Sequence, residues 1–185
     1  MVALVPQQAA DLLFHADLDA ECRAADVAAG VADGSTRSSF VRLAGDADLD
    51  PRRHPRDLSE GQRLALALAV QLASDPGVVL LDEPTRGLDY TAKRRLVTVL
   101  RSCADDGKAV MLATHDVEFV AELADRVVVL GEGTVVTDAP AAEALAGSMM
   151  FAPQVAKVLA PLPLLTVDDV ARAIASDSTQ ALAHG

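Results

Sequence analysis

The sequence predicts an α/β fold built on a mostly parallel sheet. Between residues 78 and 130, short apolar runs typical of strands alternate with longer runs typical of helices. The strand runs are apolar throughout, which is typical of parallel strands that are buried on both faces. We therefore expect a parallel sheet with helices against both of its faces.

With one further strand at the beginning of the chain, four strands and two helices are predicted before the hairpin. The strand runs are short, and the one at the very beginning of the chain ends before Pro6. The first helical run places apolar residues on one side and lysine and arginine on the other. In chain order the predictions are strand Val2–Val5, strand Val78–Leu81, helix Thr91–Ala104, strand Ala109–Ala113, helix Val117–Leu123 and strand Arg126–Leu130.

A hairpin and a helical tail complete the predicted fold. Gly131-Glu132-Gly133 indicates a turn into Thr134–Thr137, which we expect to be an antiparallel edge of the sheet. Helical segments follow at Pro140–Gly147, Pro153–Ala160 and Thr166–Ala175. We place a domain boundary after residue 147, so that 1–147 contains the sheet and 148–185 is a C-terminal helical tail.

The residues before the second strand predict a mainly helical subdomain, from about residue 12 to 75. Asp17 is typical of a helix cap, and the run that it begins stops at Gly30. Ser59 is typical of a second cap. The helix that follows it reaches Ser74, because its many alanines and leucines favour helix over strand.

Composition limits the classes of function. The net charge is −11, so a surface for nucleic-acid phosphates is not expected. The two cysteines, Cys22 and Cys103, lie far apart and do not support a zinc site, so reduced cytosolic thiols are expected. The most apolar stretch, Leu64–Ala73, has ten residues, whereas a membrane span needs about twenty. Any association with a membrane is therefore expected to go through a partner.

Two acids follow the second predicted strand. Asp82 lies at the C-terminal end of a buried parallel strand, which is where α/β folds bind ligands. Beside phosphates, this carboxylate would hold Mg²⁺ through water, because Mg²⁺ keeps much of its hydration shell. Glu83 is the next residue, and it is placed to act as a general base toward an attacking water.

A second candidate site is the run Leu58-Ser59-Glu60-Gly61-Gln62. Ser59 and the backbone N–H groups of Glu60, Gly61 and Gln62 lie at the start of the predicted helix. Such a helix N-terminus is a favourable place for an anion. Because Gly61 has no side chain, a phosphate can approach the backbone closely.

The run from Gln7 to Asp138 resembles the nucleotide-binding domains of ABC ATPases, which have a P-loop NTPase-like fold. The resemblance rests on LSEGQ followed by the apolar strand that ends in Asp-Glu-Pro. It implies that Leu58–Gln62 is the signature loop, which contacts ATP held by the phosphate-binding loop of a partner. It also implies that Asp82 is the Walker B aspartate at Mg²⁺ and that Glu83 is the catalytic glutamate.

Three further residues match motifs of the same family. Asp89, in Gly87-Leu88-Asp89, matches the D-loop that crosses the dimer interface. His115 follows a predicted strand and matches the switch histidine that senses the γ-phosphate of ATP. Gln7 matches the Q-loop glutamine, which contacts the Mg²⁺ and water site and couples it to a transmembrane partner.

Two stretches are similar to the energy-coupling-factor importers of vitamins and metal ions, especially to the second half of their fused ATPases. They are Asp82–Tyr90 together with Lys93–Leu96, and Phe151–Leu159 in the tail. The similarity implies an ATP-hydrolysing subunit that is cytoplasmic and peripheral on the inner face of the cell membrane. Its expected partners are another ABC ATPase domain and an integral membrane subunit.

The sequence departs from the family because it has no phosphate-binding GxxxxGK[ST] motif. Its only Gly-Lys pair, Gly107-Lys108, lies between a helix and a strand, which is the wrong connection. In the family this loop precedes the Q-loop, so we interpret the chain as an N-terminally truncated domain that is inactive unless the loop is supplied. The alternative is a hydrolysis-dead subunit that donates LSEGQ to an intact ATPase. An ABC ATPase outside transport is less favoured.

Overall fold

Three parallel strands form the sheet that carries the candidate site. The computed structural model describes residues 1–146, 151–162 and 164–183, with side chains described as far as residue 176. It divides into two units, Met1–His115 and Asp116–Gly185. The boundary predicted after residue 147 lies outside the described residues.

The sheet of the first unit consists of β1 (Val2–Val5), β2 (Val78–Asp82) and β3 (Ala109–Ala113), in that spatial order. Both pairs of neighbouring strands are parallel, as the sequence predicts. The register places Val5 beside Leu81 and Leu81 beside Leu112. The C-terminal ends of the three strands therefore lie at one edge of the sheet.

Side chains of this sheet alternate between a buried and an exposed face. Val5 and Val79 are almost fully buried, whereas Val2 is 60% exposed, Leu4 53% and Met111 69%. The prediction of a sheet covered on both faces is therefore wrong for the part of the chain that the structure describes. Apolar composition alone did not reveal the exposed face, because the identity of a valine does not show whether its side chain is buried or exposed.

A block of three helices separates β1 from β2. It contains α1 (Leu18–Ala29), α2 (Ser35–Ala44) and α3 (Glu60–Leu72). The side-chain oxygen of Asp17 accepts from Ala20 N at 2.8 Å and caps α1, which ends at Gly30 in the left-handed conformation. The buried apolar side chains of the block form one cluster: Leu18, Cys22, Phe40, Ala44, Leu49, Leu58, Ala65, Leu66 and Ala69.

Helix α2 is the element that the sequence pattern does not predict. Its N-cap position is a glycine, and the capping carboxylate comes from Asp26 on α1. Asp26 Oδ1 accepts from Thr36 N at 2.8 Å and from Thr36 Oγ1 at 2.6 Å, and Oδ2 accepts from Gly34 N at 2.8 Å. Burial alone would raise the pKa of Asp26, but these hydrogen bonds outweigh it and hold the pKa below its usual value.

Helix α4 (Tyr90–Asp105) connects β2 to β3. It begins after Asp89, whose side-chain oxygen accepts from Ala92 N at 2.7 Å. Its buried face consists of Leu96, Leu100 and Cys103. Cys22 and Cys103 are both buried and unpaired. The connection from strand through helix to parallel strand is the unit that the alternating pattern predicted.

The described residues of the second unit form a hairpin and four helices: β4 (Arg126–Gly131), β5 (Thr134–Pro140), α5 (Val117–Leu123), α6 (Ala141–Ala146), α7 (Gln154–Leu159) and α8 (Val167–Ala183). The hairpin is a two-stranded sheet of its own, so the prediction that it forms an edge of the parallel sheet is wrong. Its strands are tied by an ion pair in which Arg126 donates twice to Asp138, at 2.6 and 2.7 Å. Among the described helices, none combines the length and the apolar character that a bilayer crossing requires.

Candidate nucleotide-binding site

The edge formed by the C-terminal ends of the strands carries four of the predicted site residues: Gln7, Asp82, Glu83 and His115. Asp82 is the last residue of β2 and pairs with Ala113, the last residue of β3. His115 follows two positions beyond Ala113, and Gln7 follows two positions beyond the end of β1. Because the strands are parallel and in register, these residues leave the sheet on the same side.

Glu83 has an unusual backbone conformation. Its φ is +46°, a region that residues with a side chain rarely adopt outside turns. Its N–H donates to Ala113 O at 2.8 Å, and its carbonyl accepts from Arg86 N at 3.2 Å, so the turn is held from both sides. Backbone strain of this kind costs on the order of 1 kcal/mol or more and is concentrated at functional sites.

The carboxylate of Glu83 is held by the two residues that follow β3. Glu83 Oε1 lies 2.9 Å from His115 Nδ1, and Glu83 Oε2 accepts from Thr114 Oγ1 at 3.3 Å. The Glu83 side chain is 23% exposed, whereas that of His115 is 86% exposed. The Glu83 carboxylate is therefore oriented by protein groups, while the imidazole next to it faces solvent, where a ligand can reach it.

Asp82 is exposed and lies beside this pair in the chain. Within the described residues, no group of three or more His, Cys, Asp and Glu side chains converges as a complete metal site. This arrangement fits Mg²⁺, which is often held by one or two carboxylates together with water and substrate phosphates. Gln7 is also exposed at this edge.

The second group of predicted site residues forms the N-terminus of α3. Leu58 is buried in the apolar cluster of the helical block, and this burial anchors the chain just before Ser59. Ser59 Oγ accepts from Gln62 N at 3.2 Å, and Gln62 Oε1 accepts from Ser59 N at 3.0 Å. This reciprocal capping box leaves the N–H groups of Glu60 and Gly61 ahead of the first intrahelical hydrogen bond, at the positive end of the helix dipole.

This turn lies close to the predicted D-loop. A Cβ at Gly61 would lie 3.4 Å from Ala92 Cβ, and a Cβ at Gly87 would lie 3.2 Å from Glu60 Cγ. The Asp89 side chain caps α4, so one of its oxygens is already engaged within its own helix. Both segments line a cavity of about 540 Å³, and its lining includes Ser59, Gly61, Gln62, Gly87, Asp89 and Arg95.

Comparisons with known proteins cover the part of the chain that contains these two groups of residues. A family model described as "AAA domain, putative AbiEii toxin, Type IV TA system" matches residues 33–121, which contain both groups except Gln7. A protein of Streptomyces avermitilis with the name "Putative ABC transporter ATP-binding protein" is 58% identical over 175 residues, covering 94% of this chain. A Streptomyces coelicolor protein of the same description is 55% identical over 173 residues, also covering 94% of this chain.

The fold matches solved structures as well. The structure of cbiO1 from Clostridium perfringens, described as part of the ABC transporter complex cbiONQ, superposes with a TM-score of 0.66 at 27% identity. The match covers 79% of this chain and 59% of that one. The chain belongs to the ABC ATPase family. It spans 31% of the length of the Streptomyces avermitilis relative and 30% of the Streptomyces coelicolor one.

Three residues near this ABC site were not singled out from the sequence. Thr114 contacts the Glu83 carboxylate, Asp46 contacts Gln62, and Arg95 contacts the end of α2. Thr114 could have been found, because it lies next to the predicted switch histidine. Asp46 and Arg95 carry no local signal, since their partners are 16 and 51 residues away in the chain.

Proposed function

We propose that this chain provides the ATP-hydrolysing machinery of an ABC importer of the energy-coupling-factor type, which moves a vitamin or a metal ion. The observation that supports this most directly is the Glu83–His115 pair at the sheet edge, beside the exposed carboxylate of Asp82. The similarity to cbiO1, a component of an ABC transporter complex, supports the transport role. The importer class rests on the sequence resemblance described above.

In this proposal each residue at the sheet edge has a separate task. Bound Mg²⁺ would neutralise charge on the β- and γ-phosphates of ATP, and Asp82 would hold it through water. Glu83 would orient the attacking water and accept its proton, and Thr114 and His115 restrict the rotation of its carboxylate. The exposed imidazole of His115 would contact the γ-phosphate, while Gln7 would complete the Mg²⁺ and water site.

The N-terminus of α3 would act on a different nucleotide. Its free N–H groups and positive dipole suit the γ-phosphate of ATP held by a second ABC ATPase domain, with Asp89 at the same interface. We propose that this second domain and an integral membrane subunit are the partners, which places the assembly at the inner face of the cell membrane. Transport then requires no membrane-spanning helix from the described part of this chain.

The missing phosphate-binding loop gives a second candidate function. The 185 residues contain no GxxxxGK[ST], but the turn at Ser59–Gln62 is complete and capped by its own residues. A chain with these features would still serve as a hydrolysis-dead subunit that donates its signature loop to an intact partner. In that case Glu83 has no nucleotide to act on, and only Ser59–Gln62 contributes to turnover.

A graft tests the first candidate. This chain replaces the matching 175-residue segment of the Streptomyces avermitilis relative. The phosphate-binding loop that the family resemblance implies is then expected from the rest of that protein. Glu83→Gln should lower ATP turnover by about 10²-fold or more while ATP binding is kept, because a general base contributes about 10² to 10⁴. The matched control is Glu132→Gln, another glutamate with a positive φ, of +48°. Normal turnover in the Glu83→Gln graft would remove Glu83 from the base role.

A mixing experiment tests the second candidate. The ungrafted chain is added to an intact ABC ATPase domain, and ATP turnover is measured with wild-type chain, with Ser59→Ala and with Glu83→Gln. A signature-loop donor would stimulate turnover, would lose the effect in Ser59→Ala and would keep it in Glu83→Gln. Absence of any stimulation by the folded wild-type chain would exclude donation to that domain.

A further inference from the structure

Arg95 lies on α4, but its hydrogen bond reaches the helical block. Its Nη1 donates to the carbonyl oxygen of Ala44 at 2.7 Å. Ala44 is the last residue of α2, so the guanidinium satisfies a carbonyl that the helix end leaves without an intrahelical partner. A positive charge at this position is also favoured by the dipole of α2.

Gly45 makes this contact possible. It follows α2 with φ +67° and ψ +24°, a left-handed cap in which glycine carries no side-chain penalty. A Cβ built on Gly45 would lie 2.4 Å from Arg95 Cζ and 2.7 Å from Nη1. Because the guanidinium is the end of a flexible side chain, an alanine at position 45 would push it away rather than distort the backbone.

The contact continues from Gly45 to the N-terminus of α3. The next residue, Asp46, accepts from Gln62 Nε2 at 3.3 Å. Gln62 in turn forms the reciprocal capping box with Ser59. Arg95 on α4 is therefore connected to the N-cap of α3. The connection consists of its hydrogen bond to Ala44, the backbone from Ala44 to Asp46, and the hydrogen bond between Asp46 and Gln62.

This connection runs beside a cavity. The cavity of about 540 Å³ is lined on one side by Ser59–Gln62, the signature turn, and on the other by Asp89 and Arg95 of the α4 segment. The two segments approach closely at Gly61, where a Cβ would lie 3.4 Å from Ala92 Cβ, and at Gly87, where a Cβ would lie 3.2 Å from Glu60 Cγ. A polar contact at the edge of a cavity has more influence on the relative position of the two segments than it would in a filled core.

We propose that Arg95 is a positioning residue that holds the signature turn, Ser59–Gln62, in place relative to Asp89. The proposal rests on the proposed function in one respect, namely that the purpose of the held geometry is to engage ATP of a partner domain. The positioning itself is a property of this chain and is measurable without nucleotide.

Two substitutions break the contact in independent ways. Arg95→Ala removes the donor, and Gly45→Ala displaces the donor by steric overlap. Gly30→Ala is the matched control for the second, because Gly30 also ends a helix with φ +67° and has nothing within 4 Å of its built Cβ. Arg94→Ala is the matched control for the first, because it removes the neighbouring positive charge of the same helix.

The measurement is amide hydrogen exchange of the 185-residue chain by NMR. The Gln62 N–H, which donates to Ser59 Oγ, should exchange about fivefold faster in Arg95→Ala and in Gly45→Ala, which is the factor for one hydrogen bond of about 1 kcal/mol. The Leu68 N–H inside α3 should keep its rate. Combining the two substitutions should add little, because both remove the same contact. Arg95→Lys should restore part of the protection.

Unchanged exchange at Gln62 in both variants would overturn the proposal, as would an equal acceleration in Gly30→Ala or Arg94→Ala. Uniform acceleration along α3 would also overturn it, because that result indicates a general loss of stability. If Arg95→Ala fails to fold, the pair Gly45→Ala and Gly30→Ala carries the test. Failure of the proposed function is seen separately, as a chain that shows the exchange effect but neither supports turnover in the graft nor stimulates an ABC partner.

Discussion

The two groups of site residues are built in opposite ways. The sheet edge is assembled from residues far apart in the chain, since Glu83 and His115 are 32 positions apart and meet because β2 and β3 are in register. The signature turn is assembled from neighbours, since Ser59 and Gln62 cap each other within one helical turn. The sheet edge also contains backbone strain at Glu83, whereas Ser59 adopts ordinary extended dihedrals before α3.

This difference indicates how each group responds to substitution. At the sheet edge the side chains are partly exposed and contribute few packing contacts, so their loss should affect chemistry more than stability. At the turn the same side chains that would face a phosphate also hold the helix end together. Their loss should therefore affect stability and binding at the same time.

The largest expected effect is on the sheet edge. His115→Ala in the grafted protein should lower ATP turnover by about 10²-fold, because it removes both the contact to Glu83 and the proposed γ-phosphate contact. The urea midpoint should stay within error of wild type, since the side chain is 86% exposed. Turnover and urea unfolding are measured on the same sample, and an unchanged rate would remove His115 from the site.

A second substitution extends the comparison to a cap that is not local. Asp26→Asn should destabilise the chain by about 2 kcal/mol, because Asp26 is buried and accepts three hydrogen bonds at the start of α2. The measurement is urea unfolding at pH 7. A loss below about 0.5 kcal/mol would contradict the importance of this cap.

The pH dependence of the same variant follows from the lowered pKa of Asp26. The carboxylate is favoured in the folded state, so its contribution is fully present above its unfolded pKa of about 3.9. The contribution is lost as the pH falls through the lower folded pKa. The difference between wild type and Asp26→Asn should therefore be constant from pH 7 to pH 5 and should decrease below about pH 4. A difference that grows in acid would contradict the assignment.

At the signature turn, Ser59→Ala should cost about 1 kcal/mol of stability, the usual value for loss of a serine N-cap. Gln62→Ala should have a smaller effect, because it removes the reciprocal half of the capping box but leaves the Ser59 hydroxyl in place. Thermal or urea unfolding of the chain checks both. Equal stability of Ser59→Ala and wild type would mean that the turn is held by tertiary contacts and not by its own cap.

A last pair of substitutions measures the strain at Glu83. Glu83→Gly should be more stable than Glu83→Ala by about 1 kcal/mol, because only glycine adopts φ +46° without steric cost. The same pair of substitutions at Glu132, where φ is +48°, is the matched control outside the proposed site. If alanine is as stable as glycine at position 83, the backbone there is not strained.

The same contrast explains which features could be predicted from the sequence. Asp17, Gly30 and Ser59 act on residues a few positions away, so the ends of α1 and the start of α3 were predicted close to where they lie. Every predicted strand is present, because apolar runs identify strands well. The meeting of Asp82 and His115 at one sheet edge could be predicted, because each lies at or just beyond the C-terminal end of a strand. These strand ends lie at the same edge of a parallel sheet.

The features that were missed depend on distant partners. Helix α2 is capped at its start by Asp26 of another helix, and its last carbonyl accepts from Arg95, 51 positions from Ala44. The hairpin pairs only with itself among the described strands, and one face of the parallel sheet is exposed. These features depend on contacts between segments that are distant in the chain. A local run of apolar residues does not predict which segments make those contacts.

We infer that the residues of this chain would complete an ATP-hydrolysing site once a phosphate-binding loop is supplied. ATP turnover by the graft in the Streptomyces avermitilis relative tests this, compared with turnover by that relative and by a version that lacks the matching segment. We expect a rate within about tenfold of the relative and well above the version without the segment. A folded graft whose turnover equals that of the version without the segment would contradict it.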